Sequence, residues 1–254
     1  MPESERIPTN LRTLLILEVL GTSDRAMTAT EINESIGLPR QTIHRLCATL
    51  ESNGFIAREG STRRYYAARR LRALGAGLLN NSRHHIARRQ ILTDLASKVQ
   101  ETVNFVVPEG DGMSYVDRVE TDWAFQVQLP IGSHVPFHCT ASGKSFLASL
   151  SRRKRDAVLS SLTLERLTSQ TKTRPEDLAD ELEEISNRGY SLDNEEFIEG
   201  MVAIAVPVTD MSGRFAAAVA FHGPTQRLTI DDAVARKAHL QDAAHRLQDA
   251  LFGD

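Results

Sequence analysis

The stretch TATEINESIGLPRQTIHRLCATLESNGF, residues 28–55, predicts two short helices joined by a tight turn. Thr28 and Glu31 have the spacing of a capping box, so the first helix begins at this point. Gly37 provides the break between the helices, because only glycine adopts a positive φ at little cost. Pro39 is tolerated in the first turn of a helix and predicts that the second helix begins there.

The second helix of this stretch is predicted to have one buried face and one polar face. Apolar residues recur at helical spacing on the buried face: Ile43, Leu46, Cys47 and Leu50. The polar face carries the candidate DNA-binding residues: Arg40, Gln41, Thr42, His44 and Arg45. Arginine suits the edge of guanine and glutamine suits the edge of adenine. This pattern is typical of a helix-turn-helix, with an ordinary α-hairpin as the competing interpretation.

A β-hairpin is predicted directly after the second helix, in GFIAREGSTRRYYA, residues 54–67. Its strands are expected over residues 55–58 and 63–67. A hairpin in this place is the wing of a winged helix-turn-helix. Arg63 and Arg64 would then lie against phosphate or in the minor groove.

The net charge of −3 conceals one strongly basic segment. Residues 36–90 contain 11 Arg and two acidic residues, a net charge of +9, whereas residues 1–35 and 91–254 carry −3 and −9. A basic segment is the electrostatic signature of a protein that binds nucleic acid, and a solvated helix face is the alternative for a shorter run. We therefore predict that residues 1–68 form a winged helix-turn-helix DNA-binding domain.

The remaining composition excludes several protein classes. Cys47 and Cys139 are too few for a disulfide scaffold, and neither has zinc-type spacing to other ligands. The first residues, MPESERIPTN, do not resemble a signal peptide, and no apolar run has the length of a membrane span. We expect a cytoplasmic protein that contains no metal or other cofactor and does not bind a membrane.

Residues 69–84 predict a helix with Leu71, Leu74 and Leu78 on one side. This helix is interpreted either as a linker that also pairs with a second subunit or as an exposed spacer. Homodimers and homotetramers are both compatible with it.

Residues 85–254 predict an antiparallel sheet flanked by helices, an α+β domain. Strands are expected on both sides of an Asp-Gly turn in residues 103–120, and over residues 124–129, 201–208 and 215–222. Helix-start signals lie at Asn10, at Thr140 or Ser142, at the pair Thr173 and Glu176, and near Thr229. Gly189 marks the end of the helix that the Thr173 signal begins, and the last helix is expected to run unbroken to about Leu251.

The chain resembles the IclR family of bacterial transcriptional regulators over nearly its whole length. Four segments carry the resemblance: GLPRQTIHRLCATLESNGF, PFHCTASGKSFLA, RGYSLDNEEFIEGMVAIAVPV and GRFAAAVAFHGP. The resemblance implies a winged helix-turn-helix domain, a linker helix and a GAF-like domain that binds a small, often carboxylate-bearing metabolite. It also implies dimers or dimers of dimers that bind operator DNA of genes for carbon-source or aromatic catabolism.

The resemblance places the effector contacts at six positions: Ala141, Ser142, Asp193, Ala203, Ala220 and His222. Ala203, Ala220 and His222 stand where well-studied members have a cysteine and two serines. The two alanines are expected to make the pocket roomier and less polar, which favours a larger aromatic or sugar-derived acid over glyoxylate or pyruvate. His222 adds an imidazole that can donate a hydrogen bond to a carboxylate or hydroxyl.

The residues themselves allow two interpretations of this site. Ala141, Ser142 and Gly143 begin a helix, and its free backbone N–H groups suit a carboxylate, although an ordinary capped helix start is the simpler interpretation. Asp193 either accepts a hydrogen bond from a ligand hydroxyl or caps a turn. Glu195 and Glu196 are expected to form a solvated acidic face or a helix start.

An enzyme with an appended DNA-binding module is the main alternative function, with chemistry near Cys139 and His222. No nucleophile, base and orienting group occur together in the sequence, and His134, His138 and Cys139 match no metal-ligand spacing. An architectural DNA-binding protein without an effector is a third possibility. The sequence favours a ligand-responsive regulator over both alternatives.

Overall fold

The chain divides by its internal contacts into two units, Met1–Asn81 and Ser82–Asp254. The computed structural model describes residues 7–23, 25–79, 82–124, 127 and 129–253. In those ranges, no helix is both long and apolar enough to cross a membrane.

The first unit combines helices with a small antiparallel sheet. Its helices are α1 (Leu11–Thr22), α2 (Ala29–Ile36), α3 (Arg40–Ser52) and α4 (Arg69–Leu79). Its strands are β1 (Met27–Thr28), β2 (Ile56–Arg58) and β3 (Arg64–Ala67), in the order β1-β3-β2. The predicted helix-turn-helix and wing are confirmed. Strand β1 was not predicted, because two residues are too few to show an alternating pattern.

The local signals around the turn are confirmed, with two exceptions at helix starts. Thr28 and Glu31 form the capping box, and Gly37 ends α2 with a φ of 75°. Pro39 immediately precedes α3 and does not lie in its first turn. The expected cap at Asn10 is wrong: its backbone is already helical, with φ −72° and ψ −26°, and its side chain makes no capping hydrogen bond.

The core of the first unit lies between α1, α2, α3 and the sheet. Its fully buried aliphatic residues include Ile16, Ile32 and Ile43. Leu11 and Leu14 of α1, in contrast, are 43% and 58% exposed. The buried side of α1 is therefore centred on Ile16, and two of its leucines are left on the surface.

The second unit is a six-stranded antiparallel sheet covered by helices. Its helices are α5 (Ser82–Val99), α6 (Ala141–Ser149), α7 (Arg152–Ser161), α8 (Pro175–Arg188), α9 (Ile230–Ala235) and α10 (Lys237–Phe252). Its strands are β4 (Thr102–Glu109), β5 (Gly112–Val119), β6 (His134–Pro136), β7 (Ser191–Asn194), β8 (Met201–Thr209) and β9 (Phe215–Pro224), in the order β6-β5-β4-β9-β8-β7. The predicted α+β class is confirmed.

Alternate residues of the central strands face opposite sides of this sheet. On β8, Val202 and Ile204 join a core with α5 and α10, whereas Ala203 and Ala205 face α6. The small alanine side chains let α6 lie close to the sheet, and the effector positions predicted from the sequence occur on this side.

Two predictions for the second unit are wrong, and a third concerns residues outside the described ranges. Helix α8 begins at Pro175 without a side-chain cap, so the expected Thr173–Glu176 capping box is absent, although Gly189 ends the helix as predicted. The last helix is divided at Arg236 into α9 and α10. The strand expected over 124–129 includes residues 125, 126 and 128, which lie outside the described residues.

Candidate DNA-binding surface and effector cavity

Helix α3 presents its predicted polar face on the surface of the first unit. Its buried residues are the four predicted: Ile43, Leu46, Cys47 and Leu50. The exposed residues of the opposite face are Arg40, Gln41, His44 and Arg45, and Thr42 is half-buried. No ion pair joins Arg40 or Arg45 to any residue of the described ranges. Their positive charges are therefore available to a polyanion.

The arginines of the wing differ in their partners. Arg58 pairs with Glu51 at 3.0 Å, and Arg64 pairs with Glu31 at 3.0 Å. Arg63 is exposed, and within the described part of the chain it has no acidic partner. Of the two wing arginines that the sequence predicts to bind DNA, Arg63 alone has an uncompensated charge.

Arg64 has a structural role that the sequence did not indicate. Its Nη1 donates hydrogen bonds to the Ala26 carbonyl at 3.0 Å and to the Glu31 carboxylate. Since Thr28 pairs with Arg64 between β1 and β3, this arginine ties the wing to the capping box of α2. The contact depends on the pairing of β1 with β3, and the sequence pattern did not predict β1.

All six predicted effector residues line one cavity in the second unit: Ala141, Ser142, Asp193, Ala203, Ala220 and His222. Further lining residues that were not predicted include Asn104, Tyr115, Phe197 and Met201. The cavity has a volume of about 20 Å³, which is room for about one water molecule. Binding sites for drug-sized ligands usually measure about 300–1,000 Å³.

The cavity is too small for the larger aromatic or sugar-derived acid that the two alanines led us to expect. Ala141 at the start of α6 packs against Ala203, Ala205 and Ala220 of the sheet, and all four are buried. Small side chains at these four positions allow the helix and the strands to pack closely, which leaves little space between them.

The N-terminus of α6 lines this cavity and carries backbone donors without a described acceptor. Thr140 caps the helix by accepting a hydrogen bond from the Gly143 N–H at 3.1 Å, while its own hydroxyl donates to the Pro136 carbonyl. Among the described residues, none accepts a hydrogen bond from the backbone N–H of Ala141 or Ser142. The helix start therefore offers two donors and the positive end of a helix dipole.

Gly143 is required for the close seating of α6. A Cβ at this position would lie 2.4 Å from the Phe137 carbonyl oxygen and 2.5 Å from the Phe137 Cα. Both are backbone atoms, which cannot move aside as a flexible side chain can. Glycine is needed at this position because it has no side chain. The sequence alone gave no sign of this contact.

Asp193 caps a turn, as one of its two interpretations proposed. Its Oδ1 accepts hydrogen bonds from the backbone N–H of Glu196 at 2.8 Å and of Phe197 at 3.3 Å. Burial raises the pKa of Asp193 to about 7, although the positive charge of Lys144 acts in the opposite direction. Near neutral pH this carboxyl group is therefore partly protonated, which weakens its repulsion of an anion.

His222 is a neutral imidazole with both nitrogens engaged. Its Nδ1 lies 3.0 Å from Nδ2 of Asn104, and its Nε2 lies 3.4 Å from the Val127 carbonyl oxygen. Burial, assisted by the nearby charge of Arg118, lowers the pKa of His222 to about 4. An amide nitrogen can only donate, so Nδ1 accepts and the single proton is on Nε2, facing Val127.

A buried ion cluster anchors the middle of α6. Lys144 is fully buried, and its Nζ lies 2.7 Å from Oε1 of Glu181 and 2.5 Å from Oε1 of Glu196. Burial alone would lower the pKa of Lys144, but the charges of Glu196 and Glu181 outweigh it and raise that pKa. The expectation of a solvated Glu196 is wrong, because its partner comes from a helix 52 positions earlier in the chain.

The region of Cys139 lacks the features of a reactive centre. Cys139 is fully buried, and burial raises the pKa of its thiol to about 12. His138 is engaged with the Glu165 carbonyl at 2.9 Å. The described ranges contain no group of three or more His, Cys, Asp or Glu side chains that could hold a metal ion.

Known proteins match both units. The family model for the bacterial transcriptional regulator IclR C-terminal domain matches residues 79–249, and the model for the IclR helix-turn-helix domain matches residues 11–60. SauR of Cupriavidus necator, named a probable transcriptional regulator, is 38% identical over 237 residues, which are 93% of this chain and 94% of SauR. The transcriptional repressor IclR of Escherichia coli is 29% identical over 91% of this chain and 85% of the repressor.

A solved structure of a family member also matches nearly the whole chain. The crystal structure of Thermotoga maritima IclR has a TM-score of 0.65 and 27% sequence identity, covering 97% of this chain and 99% of that one. SauR and the Escherichia coli repressor are regulators by name, which supports a regulator over the enzyme alternative. The chain belongs to the IclR family of bacterial transcriptional regulators, with a DNA-binding helix-turn-helix domain followed by an effector domain.

Proposed function

We propose that the protein controls catabolic genes in the bacterial cytoplasm by binding operator DNA and a small carboxylate effector. The convergence of six residues on one cavity in the effector domain carries the proposal: Ala141, Ser142, Asp193, Ala203, Ala220 and His222. In this proposal residues 1–68 bind DNA, residues 69–84 link the domains and residues 85–254 bind the effector.

The start of α6 supports a carboxylate as the effector group. The N–H groups of Ala141 and Ser142 have no described acceptor, and the helix dipole adds positive potential at the same point. Asp193 opposes an anion only when ionised, and its raised pKa of about 7 reduces that opposition. The cavity volume of about 20 Å³ is room for about one water molecule. The lining must therefore move for any carboxylic acid to bind, and a small acid requires the least movement.

The exposed face of α3 supports DNA recognition through the major groove. Arg40, Gln41, His44 and Arg45 would reach base edges, with Thr42 at the margin of the contact. Arg63 of the wing would contact phosphate. The effector changes DNA affinity only if it binds the DNA-competent and the incompetent arrangement with different affinities.

The experiment uses the full chain and a duplex that the purified protein selects from a random-sequence pool. Thermal shift with a panel of small carboxylic acids should identify acids that raise the melting temperature, since ligands that bind the folded state stabilise it. Fluorescence anisotropy should then show that the same acids change the affinity for the selected duplex. Acids that bind without any effect on DNA affinity would contradict the regulatory proposal.

A matched pair of variants tests the location of the site. Ser142→Asp places a negative charge at the start of α6, whereas Ser142→Asn adds nearly the same volume without charge. We expect the Asp variant to bind the acid at least about tenfold more weakly than the Asn variant. Equal affinities of the two variants would place the carboxylate elsewhere.

A further inference from the structure

One buried side-chain oxygen in the wall of the effector cavity, Oδ1 of Asn104, has no hydrogen-bond partner among the described residues. Asn104 on β4 is 1% exposed and lines the cavity, and its Oδ1 is buried without a donor. Its Nδ2 is engaged with Nδ1 of His222 at 3.0 Å. Buried polar atoms are almost always paired, so an unpaired acceptor on a cavity wall calls for a donor from a bound water or from a ligand that displaces it.

The orientation of the Asn104 amide is fixed by His222. Exchanging the amide oxygen and nitrogen would require a proton on Nδ1 of His222. The Nε2 lone pair would then face the Val127 carbonyl oxygen at 3.4 Å, which is repulsive. A doubly protonated imidazole is disfavoured at this fully buried position, so Nδ2 faces His222 and Oδ1 remains an acceptor.

The sheet register places Asn104 beside the proposed carboxylate position. Asn104 pairs with Ala220 between β4 and β9, and Ala220 packs against Ala141 at the start of α6. Neighbouring strands are about 4.8 Å apart. A ligand whose carboxylate accepts from the α6 N–H groups therefore has its next one or two carbon atoms near Asn104.

We infer that the effector is a hydroxycarboxylate whose hydroxyl group donates a hydrogen bond to Oδ1 of Asn104. This inference rests on the proposed function, because it assumes that the carboxylate lies at the start of α6. A hydroxyl group satisfies the acceptor without bringing a second charge into a buried cavity that Ala, Phe, Tyr and Met side chains line beside the polar residues. An ammonium group is the competing donor, because Asp193 in the cavity wall could balance its charge, and the comparison of alanine with lactate tests that alternative.

The test compares acids that differ only at the carbon next to the carboxylate. Calorimetry on the full chain would use lactate, pyruvate and propionate, then 2-hydroxybutyrate, 2-oxobutyrate and butyrate, then mandelate, phenylglyoxylate and phenylacetate. In the series that fits the cavity, we expect the hydroxy acid to bind at least about tenfold more tightly than its keto and deoxy analogues. Alanine serves as the ammonium analogue of lactate.

Two variants test whether Asn104 is responsible for the preference for the hydroxy acid. Asn104→Leu should bring the hydroxy acid down to the affinity of its deoxy analogue, while the deoxy analogue binds as well as before. Thr102→Val is the matched control, since Thr102 is also buried on β4 but does not line the cavity. It should keep the hydroxyl preference.

The outcomes separate the inference from the proposed function. If the three analogues of a series bind equally, or if alanine binds more tightly than lactate, the hydroxyl assignment is overturned and the carboxylate site stands. If none of the acids binds, both are overturned. A hydroxyl preference that survives in Asn104→Leu would also overturn the inference.

Discussion

Two buried side chains of the effector cavity have pKa values shifted in opposite directions. Burial raises the pKa of Asp193 from 3.8 to about 7 and lowers the pKa of His222 from 6.5 to about 4. Folded Asp193 keeps a proton that the unfolded chain loses, so its contribution to the free energy of unfolding falls as pH rises from about 4 to 7. Folded His222 lacks a proton that the unfolded chain holds, so its contribution is lost as pH falls from about 6.5 to 4.

Asp193→Asn and His222→Gln should therefore change the pH dependence of stability with opposite signs. The free energy of unfolding of Asp193→Asn should rise with pH relative to the wild type, and that of His222→Gln should fall. Each difference should change by at most about 1.4 kcal/mol per pH unit, the value for one proton. The charged or titratable neighbours of Asp193 are Lys144, Glu196, Tyr115 and Cys139, and that of His222 is Arg118; all are retained in both variants.

Urea unfolding between pH 4.5 and 7.5 would measure both differences. Trp123 is the only tryptophan of the chain and lies in the second unit, so its fluorescence reports on the domain that contains both residues. Groups that titrate equally in variant and wild type cancel in the difference. Parallel pH profiles for the wild type and both variants would contradict the assigned shifts.

At the scale of elements, α3 and the wing are expected to contribute differently to DNA binding. Arg45→Ala on α3 should reduce the discrimination between the selected duplex and a mutated one by about 1–3 kcal/mol, as expected for loss of a base contact. Arg63→Ala should weaken binding to both duplexes similarly. It should also reduce by about one the slope of the logarithm of the binding constant against the logarithm of salt concentration.

Arg58→Ala is the matched control for the wing, because Glu51 already pairs with Arg58 within the folded unit. Its salt slope should stay close to that of the wild type. Fluorescence anisotropy at several salt concentrations would give all of these values. A slope for Arg63→Ala equal to the wild-type slope would remove that residue from the phosphate contacts.

Features with local signals could be predicted from the sequence, whereas features that depend on distant contacts could not. Helices α2 and α3 were predictable because their signals are local: a capping box at Thr28 and a left-handed glycine at Gly37. The partners of Lys144 lie 37 and 52 positions away, so only the folded chain brings them together. The polar Asn104 inside the apolar run VNFVV was a signal, but its role depends on the register of β4 against β9.

At the scale of the whole molecule, we predict that exposed leucines of the first unit take part in self-association. Leu14 of α1 is 58% exposed and Leu74 of α4 is 52% exposed. Single exposed apolar side chains are common at protein surfaces, so the prediction requires that these leucines contribute to a larger apolar contact with a second subunit. A winged helix-turn-helix dimer binds two half-sites of an operator. Association through these helices would therefore be needed for binding to both half-sites at once.

Leu74→Glu should therefore weaken dimer formation by at least about tenfold, because a carboxylate would be buried without a partner in the interface. The same change should weaken binding to a duplex with two half-sites much more than binding to a single half-site. Leu167→Glu is the matched control, since Leu167 is also exposed, at 39%, but lies in the second unit. Sedimentation of Leu74→Glu as the wild-type oligomer, with an unchanged preference for two half-sites, would place the subunit contact outside α4. The reverse result, monomers for Leu74→Glu and wild-type oligomers for Leu167→Glu, would assign α4 to the subunit contact.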